Sequence, residues 1–309
     1  MPLDVDIFFQ FIFRSITMIL NRTVIHNMNF IPKKRFGQHF LIDKNIADKI
    51  VNSANICSDD IVWEIGSGKG ILTEKLVNKA KKVVAFEIDR DLAIYLKDKI
   101  KNENFILINK DVLKLDWDTI INADEDIKIV ANLPYQISSP FLYKIENHIS
   151  AFDSLVLMIQ KEVAERIIAY SNSKKYGKLS LKMQYYFQIE RLFNVPPHLF
   201  FPSPKVISTV IRLTKKHNFP VVKNIDLFWQ IINLAFLHRR KMLRTNISVI
   251  FNEDIFREII RNSPVDLNRR GESLSLEEFI TLADYIDKKS RVQEFKLTRK
   301  QEENADAIK

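Results

Sequence analysis

The sequence predicts an α/β fold: a doubly wound, mostly parallel sheet, followed by a smaller all-helical C-terminal domain. Three observations predict it. Apolar strand patterns alternate with helical patterns of about 10–15 residues from position 61 to 170, as in parallel sheets covered on both faces. A glycine-rich turn, Gly66-Ser67-Gly68-Lys69-Gly70, stands where the first strand becomes a helix. Beyond about residue 225 only helical patterns remain, broken by Pro264 and Gly271. At 309 residues and 46% hydrophobic, with 22 Phe, the chain can bury the core such a fold needs.

The elements follow in order. Lys33-Lys34-Arg35-Phe36-Gly37-Gln38-His39-Phe40-Leu41 forms a basic turn before a helix over 44–53 that Asp43 can cap. Strands are expected at Ile61–Ile65, in the segment ending at Glu87, and at Phe105–Asn109, Ile127–Ala131 and Leu155–Ile159. Helices are expected at 71–79, 91–101, 140–147 and 161–170. Phe187–Val195 and Val206–Leu213 read as an antiparallel hairpin that completes the sheet, with Pro196, Pro197, Pro202 and Pro204 between them. The expected boundary lies near His217-Asn218-Phe219-Pro220. It divides the chain into an extension over 1–27, a sheet domain over 28–217, a helical domain over 218–288 and a charged tail over 289–309.

Composition excludes several classes. A net charge of +9 and a pI near 9.4 favour a polyanionic partner. The single cysteine, Cys57, excludes an internal disulfide and any cysteine-rich metal site, and fits a reducing cytoplasm. No metal-ligand cluster and no Ser/His/Asp arrangement stands out, so no metal is expected. Phe8 to Phe13 is apolar, but Asp4, Asp6 and Arg14 flank it. That suits neither a secretory leader nor a membrane span, and the functional start is expected near Met28. No stable membrane association is expected.

The turn at 66–70 is a shortened dinucleotide fingerprint in which glycines let a ligand approach the backbone. Glu87 lies 21 residues after Gly66 at the next strand end, where a carboxylate can accept both hydroxyls of a ribose. Asp111, after the third strand, can accept an adenine amino proton. Gly, Glu and Asp at three consecutive strand ends point to a cofactor containing adenosine. A nicotinamide dinucleotide and S-adenosylmethionine both satisfy that much.

The fourth strand discriminates. It runs into Asn132-Leu133-Pro134-Tyr135, where Pro134 stiffens the exit. An exocyclic base amine needs two acceptors and a stacking face. Asn132 Oδ1 and the Leu133 carbonyl can take its two N–H protons, and Tyr135 can stack on the ring. Catalysis is then largely positioning, because the nitrogen need not be deprotonated before attack. The stretch from Val195 to Val206 offers a second ring, Phe200 or Phe201, and base–aromatic stacking is worth about 1–3 kcal/mol. Between Lys205 and Arg244 there are nine Lys or Arg and one acid, Asp226. Within that segment Arg239, Arg240, Lys241 and Arg244 form a basic cluster suited to nucleic-acid phosphates.

Eight blocks together resemble the rRNA adenine N6,N6-dimethyltransferase family of the small-subunit type: KKRFGQHFLID, EIGSGKGILT, AFEIDRDL, NLPYQISSP, MIQKEVAERI, VPPHLFFPSPKV, FLHRRKMLR and GESLSLEEF. The resemblance runs from about Lys33 to Asp287. It implies a Rossmann-like methyltransferase sheet with a helical RNA-binding domain, and S-adenosyl-L-methionine as cofactor. Cofactor contacts carried over by motif fall on His39, Leu41, Gly66, Glu87, Asp111 and Asn132. The base-positioning group falls on Asn132, Leu133 and Tyr135, and the stacking ring on Phe200.

The implied substrate is small-subunit rRNA in a nearly mature particle, in which two adjacent adenosines near the 3′ end are each methylated twice during ribosome biogenesis. A cytoplasmic monomer is expected. Ser67, where this family usually has proline, matches the related macrolide-resistance methylases of large-subunit rRNA, so that substrate is one alternative. A ribosome-assembly or transcription factor that has lost catalysis is the other. The intact cofactor and base residues favour an enzyme.

Overall fold

A computed structural model describes residues 31–122 and 125–289, and the chain forms two compact units. The extension over 1–27 and all but the first residue of the charged tail lie outside the described residues. The first unit comprises the chain up to Lys161 together with Arg191–Thr214. It contains a short strand β1 (Phe40–Leu41), helix α1 (Lys44–Ser53), β2 (Ile61–Ile65), α2 (Thr73–Leu76), β3 (Lys82–Phe86), α3 (Arg90–Lys99), β4 (Phe105–Ile108), β5 (Ile127–Asn132), α4 (Ser138–Glu146) and β6 (Phe152–Gln160). Asp43 caps α1 by accepting the Ile46 N–H at 2.8 Å, as its position predicts.

The seven-stranded sheet has the order β4-β3-β2-β5-β6-β9-β7, with β7 (Phe187–Val195) at the edge beyond β9 (Ser208–Lys215). Strands β4, β3, β2, β5 and β6 are parallel, and β9 runs antiparallel to β6. The expected mixed sheet therefore forms, with both late strands added on one side. A strand pair that periodicity did not reveal joins β1 to β8 (Phe200–Phe201), with Phe40 opposite Phe201 and Leu41 opposite Phe200. Two-residue strands carry too little pattern to be read from sequence.

Alternation along β2 explains the double winding. Val62 faces the cluster that contains Ile50, Val51, Leu76, Val83 and Val130. Trp63 faces the other way and packs edge-on against Phe86, Trp117 and Phe152 at centroid distances of 4.9–5.6 Å. Aromatic pairs at such separations add about 0.5–1.5 kcal/mol each beyond the area they bury. The helix expected over 71–79 is only α2, since the chain around it closes in turns: Lys79 donates to Leu76 O and Lys75 to Leu72 O.

The second unit comprises Glu162–Glu190 and the chain from Lys215 onward. The division therefore differs from the expected one at 217/218. Most of α5 (Lys161–Ile168) and all of α6 (Lys178–Tyr186) belong with the later helices. For α6 the cause is apolar packing: Tyr176, Leu181 and Tyr185 share one core with Phe228, Ile231, Leu243, Ile259, Phe279 and Ile286. Helix α5 is bonded to α6 through Ser180 and Gln184. Helices α7 (Ile225–Ala235), α8 (Leu243–Ile247) and α9 (Glu253–Asn262), and a helix over 276–289, complete it. Among the described residues no helix is long and apolar enough to cross a membrane.

Candidate active site

The ends of β2, β3, β4 and β5 surround one cavity of about 320 Å³. A crevice at the carboxyl ends of parallel strands is where open α/β sheets bind ligands. His39, Leu41, Gly66, Glu87, Asp111, Asn132, Leu133 and Tyr135 all line it. Four strand ends and the N-terminal segment thus bring together residues up to 96 positions apart in sequence.

The glycine turn forms its floor. Gly66 and Gly68 adopt left-handed backbone, with φ of 71° and 58°. Gly66 N–H donates to Phe86 O at 2.8 Å, which ties the turn to the neighbouring strand. Side chains would be crowded here: a Cβ on Gly66 would lie 3.1 Å from the Pro134 ring, and one on Gly68 would lie 3.1 Å from the Phe40 ring. The turn is held between the Pro134 loop and β1, so at these two glycines only backbone faces the cavity.

Two buried carboxylates stand behind it. Glu87 accepts the Gly68 N–H at 2.8 Å on one oxygen and the Asp89 N–H at 2.9 Å on the other. Burial pushes its pKa up, opposed by those N–H groups. Each oxygen retains acceptor capacity for a ribose hydroxyl. Glu64, also buried, accepts the Thr73 hydroxyl at 2.6 Å. Burial raises its pKa to about 8, against the pull of the Thr73 and Ser67 hydroxyls, so it is largely protonated at neutral pH. Asp111 accepts the Leu113 N–H at 3.0 Å and stays half-buried at the cavity wall.

At the end of β5, Asn132 Nδ2 donates to His39 O at 3.2 Å. That bond uses the amide nitrogen and leaves Oδ1 as the acceptor for a ligand. Leu133 is buried, and its N–H is taken by Met158 O at 3.1 Å. Tyr135 stacks on His39 with ring centroids 5.5 Å apart and planes 29° apart. The Tyr135 hydroxyl meets the Ser208 hydroxyl at 2.8 Å, and His39 Nδ1 donates to Pro202 O at 2.7 Å.

Residues 35–41 of the basic N-terminal turn also wall the cavity. Lys33 Nζ donates to Asp89 Oδ1 and Asp91 Oδ2, both at 2.6 Å, and Gln38 Nε2 donates to Asp89 Oδ2 at 2.9 Å. Burial would raise the Asp89 pKa, but Lys33 and Gln38 outweigh it and hold the carboxyl below its usual range. Asp89 in turn caps α3 next to Glu87. Lys33, Gln38 and Ser208 were missed as site residues; their only signal was membership of, or adjacency to, the blocks quoted above.

Two expected site residues are engaged elsewhere in this structure. Phe200 is 3% exposed and packs in the core with Leu41 and Val195, while its neighbour Phe201 is 55% exposed. Alternation along β8 turns one ring in and the next out. Neither ring lines the cavity, and Phe200 would have to leave the core to cover a base. Arg239, in the second unit, is committed to structure: it bonds Lys174 O and Tyr176 O, both at 3.0 Å, and Glu272 Oε2 at 2.8 Å. Arg240, Lys241 and Arg244 are exposed, and their side chains make no hydrogen bond or ion pair with any described residue.

Solved structures share this architecture. A dimethyladenosine transferase from Plasmodium falciparum superposes with a TM-score of 0.68 at 28% identity, over 82% of this chain and 98% of the other. The 23S rRNA methyltransferase ErmE has the same fold, with a TM-score of 0.62 at 23% identity over 80% of this chain and 99% of that one. Fold and site define an S-adenosylmethionine-dependent methyltransferase. The profile of the ribosomal RNA adenine dimethylase family matches residues 29–288.

Among curated relatives, the ribosomal RNA small subunit methyltransferases A of Clostridium perfringens and Clostridium acetobutylicum are each 43% identical to this chain. The matches span 273 and 269 residues, or 87% and 86% of this chain and 96% and 97% of the relatives. The chain belongs to the ribosomal RNA adenine dimethylase family, and it is an rRNA adenine dimethyltransferase.

Proposed function

We propose that the enzyme dimethylates N6 of two adjacent adenosines near the 3′ end of small-subunit rRNA, in a nearly mature particle in the cytoplasm, acting as a monomer. The observation that carries the chemistry is the Asn132 amide, whose nitrogen is engaged by His39 O so that its oxygen is left to accept from a base amine. The names of the curated relatives support the choice of subunit.

The cavity suits the cofactor. The glycines at 66 and 68, a twice-bonded Glu87 and the half-buried Asp111 provide backbone N–H groups and carboxylates for an adenosine and its ribose. His39 and Leu41 would close over it from β1. When bound, S-adenosylmethionine supplies the methyl group. Asn132 Oδ1 and the Leu133 carbonyl hold the adenine amine so that its lone pair faces that methyl, and Tyr135 offers a ring face to the base. Orientation of this kind removes much of the barrier without any general base. Arg240, Lys241 and Arg244 in the second unit supply charge for rRNA phosphates.

Methyl transfer to isolated unmethylated small subunits, with the modified nucleotides mapped, tests the reading. Primer extension on both rRNAs from cells lacking the protein separates it from the large-subunit alternative, which Ser67 in the glycine turn keeps in view. Loss of a stop only in large-subunit rRNA would end the assignment. Protein that binds immature subunits yet binds no cofactor and transfers no methyl would favour an assembly role.

A further inference from the structure

We infer that Ser208 is a positioning residue for the reaction: its buried hydroxyl sets the plane of the Tyr135 ring on which the target base stacks. The inference rests on the functional reading above and extends it to a residue that never reaches the base.

The geometry is specific. Ser208 opens β9, paired with Gln160 at the end of β6, and is 0% exposed. Its hydroxyl lies 2.8 Å from that of Tyr135, which sits on the turn after β5. A phenol ring has two soft torsions, and fixing its far end constrains both. The ring is also stacked on His39, and His39 is held by Pro202 O. One anchor therefore comes from the strand that follows the proline-aromatic stretch, and the other from within that stretch. With one ring face turned to His39 and the hydroxyl pinned, on this inference the base stacks on the opposite face, in the cavity that Tyr135 lines.

A ring that rotates freely can still stack, but it no longer presents its face in the plane that aligns the amine with Asn132 and Leu133. The loss should appear in turnover rather than in binding. It should also be the same loss whichever hydroxyl is removed, since both belong to one bond.

A double-mutant cycle tests this on the full-length enzyme with unmethylated small subunits. Ser208→Ala and Tyr135→Phe should each lower kcat about three- to tenfold, the range of one hydrogen bond, with the KM for S-adenosylmethionine unchanged. The double variant should be no slower than either single, because neighbours sharing one interaction are not additive. Ser208→Thr, which keeps the hydroxyl, should restore the rate.

Thermal melting of each variant accompanies the kinetics. A kcat loss that tracks a fall in melting temperature and is not rescued by Ser208→Thr would overturn the positioning role. So would losses that multiply, or wild-type turnover in Ser208→Ala. Asn132→Ala in the same assay separates the levels: if it too turns over normally, the functional reading fails, whereas its loss beside an active Ser208→Ala sinks only this inference.

Discussion

Gly66 lies against Pro134, so closely that a Cβ on the glycine would stand 3.1 Å from Pro134 Cδ. The glycine turn and the turn after β5 are thus packed on one another. On the proposed function, methyl donor and acceptor are positioned by one junction rather than by two separate loops.

Gly66→Ala should therefore harm both functions. The residue sits at φ 71°, where an L side chain costs about 1–2 kcal/mol, and the new methyl presses on Pro134. Calorimetric titration should show weakened cofactor binding together with a lowered melting temperature. Unchanged affinity would mean that the turn can shift without consequence.

Asn132→Ala should leave fold and most cofactor affinity intact while methyl transfer falls on the order of 10–100-fold, the worth of one charge-assisted acceptor. Rapid-quench single-turnover assays measure it directly. Near-wild-type turnover would remove Asn132 from the amine-binding role.

The adjacent phenylalanines should behave differently. Phe200→Ala empties a core site, with an expected cost of about 3–5 kcal/mol in urea unfolding. Phe201→Ala should leave stability near wild type and slow methyl transfer several-fold. If instead Phe201→Ala is silent and a milder change, Phe200→Leu, slows transfer at preserved stability, the buried ring is the one that swings out to the base.

The basic cluster should also divide. Replacing Arg240, Lys241 and Arg244 together with Ala should weaken rRNA binding and flatten its salt dependence, by about 0.7–0.9 in log–log slope for each phosphate no longer neutralised. Arg239→Ala should instead lower melting temperature, because its guanidinium joins Glu272 to the Lys174 and Tyr176 carbonyls. Filter binding across a salt series, with calorimetry alongside, distinguishes the two classes.

Glu64 makes stability depend on pH. Its folded-state pKa of about 8 lies above the ordinary 4.5, so between those values the folded chain holds a proton that the unfolded chain has released. Its contribution is complete below about pH 4.5 and is lost as pH rises through about 8. Glu64→Gln should therefore gain stability relative to wild type as pH rises through that window. Urea unfolding of both proteins at several pH values checks it, and parallel curves would rule it out.

Much of this was legible from sequence. Short apolar runs and the glycine turn after the first of them marked β2 through β6, because buried parallel strands must be almost continuously apolar. Strand ends must also carry the residues that meet a ligand, which is why Gly66, Glu87, Asp111 and Asn132 stood out and now line one cavity. Residue types alone specified a base amine and an adenosine cofactor; the family blocks added the class of RNA.

Tertiary structure decided what local pattern does not encode. That Phe200 faces the core and Phe201 the solvent depends on the pairing of β8 with β1, which sets Phe201 opposite the distant Phe40. That Arg239 is held by Glu272 while the Arg240 side chain bonds no described residue depends on where Glu272 lies. Helix α6 joined the second unit because its apolar face matches that core, and α5 is tied to α6 by Ser180 and Gln184, which donate to the Arg166 and Ile167 carbonyls. Local sequence sets what each residue can do. Only packing closed across long loops determines which residues share a site, and so how Ser208 meets Tyr135.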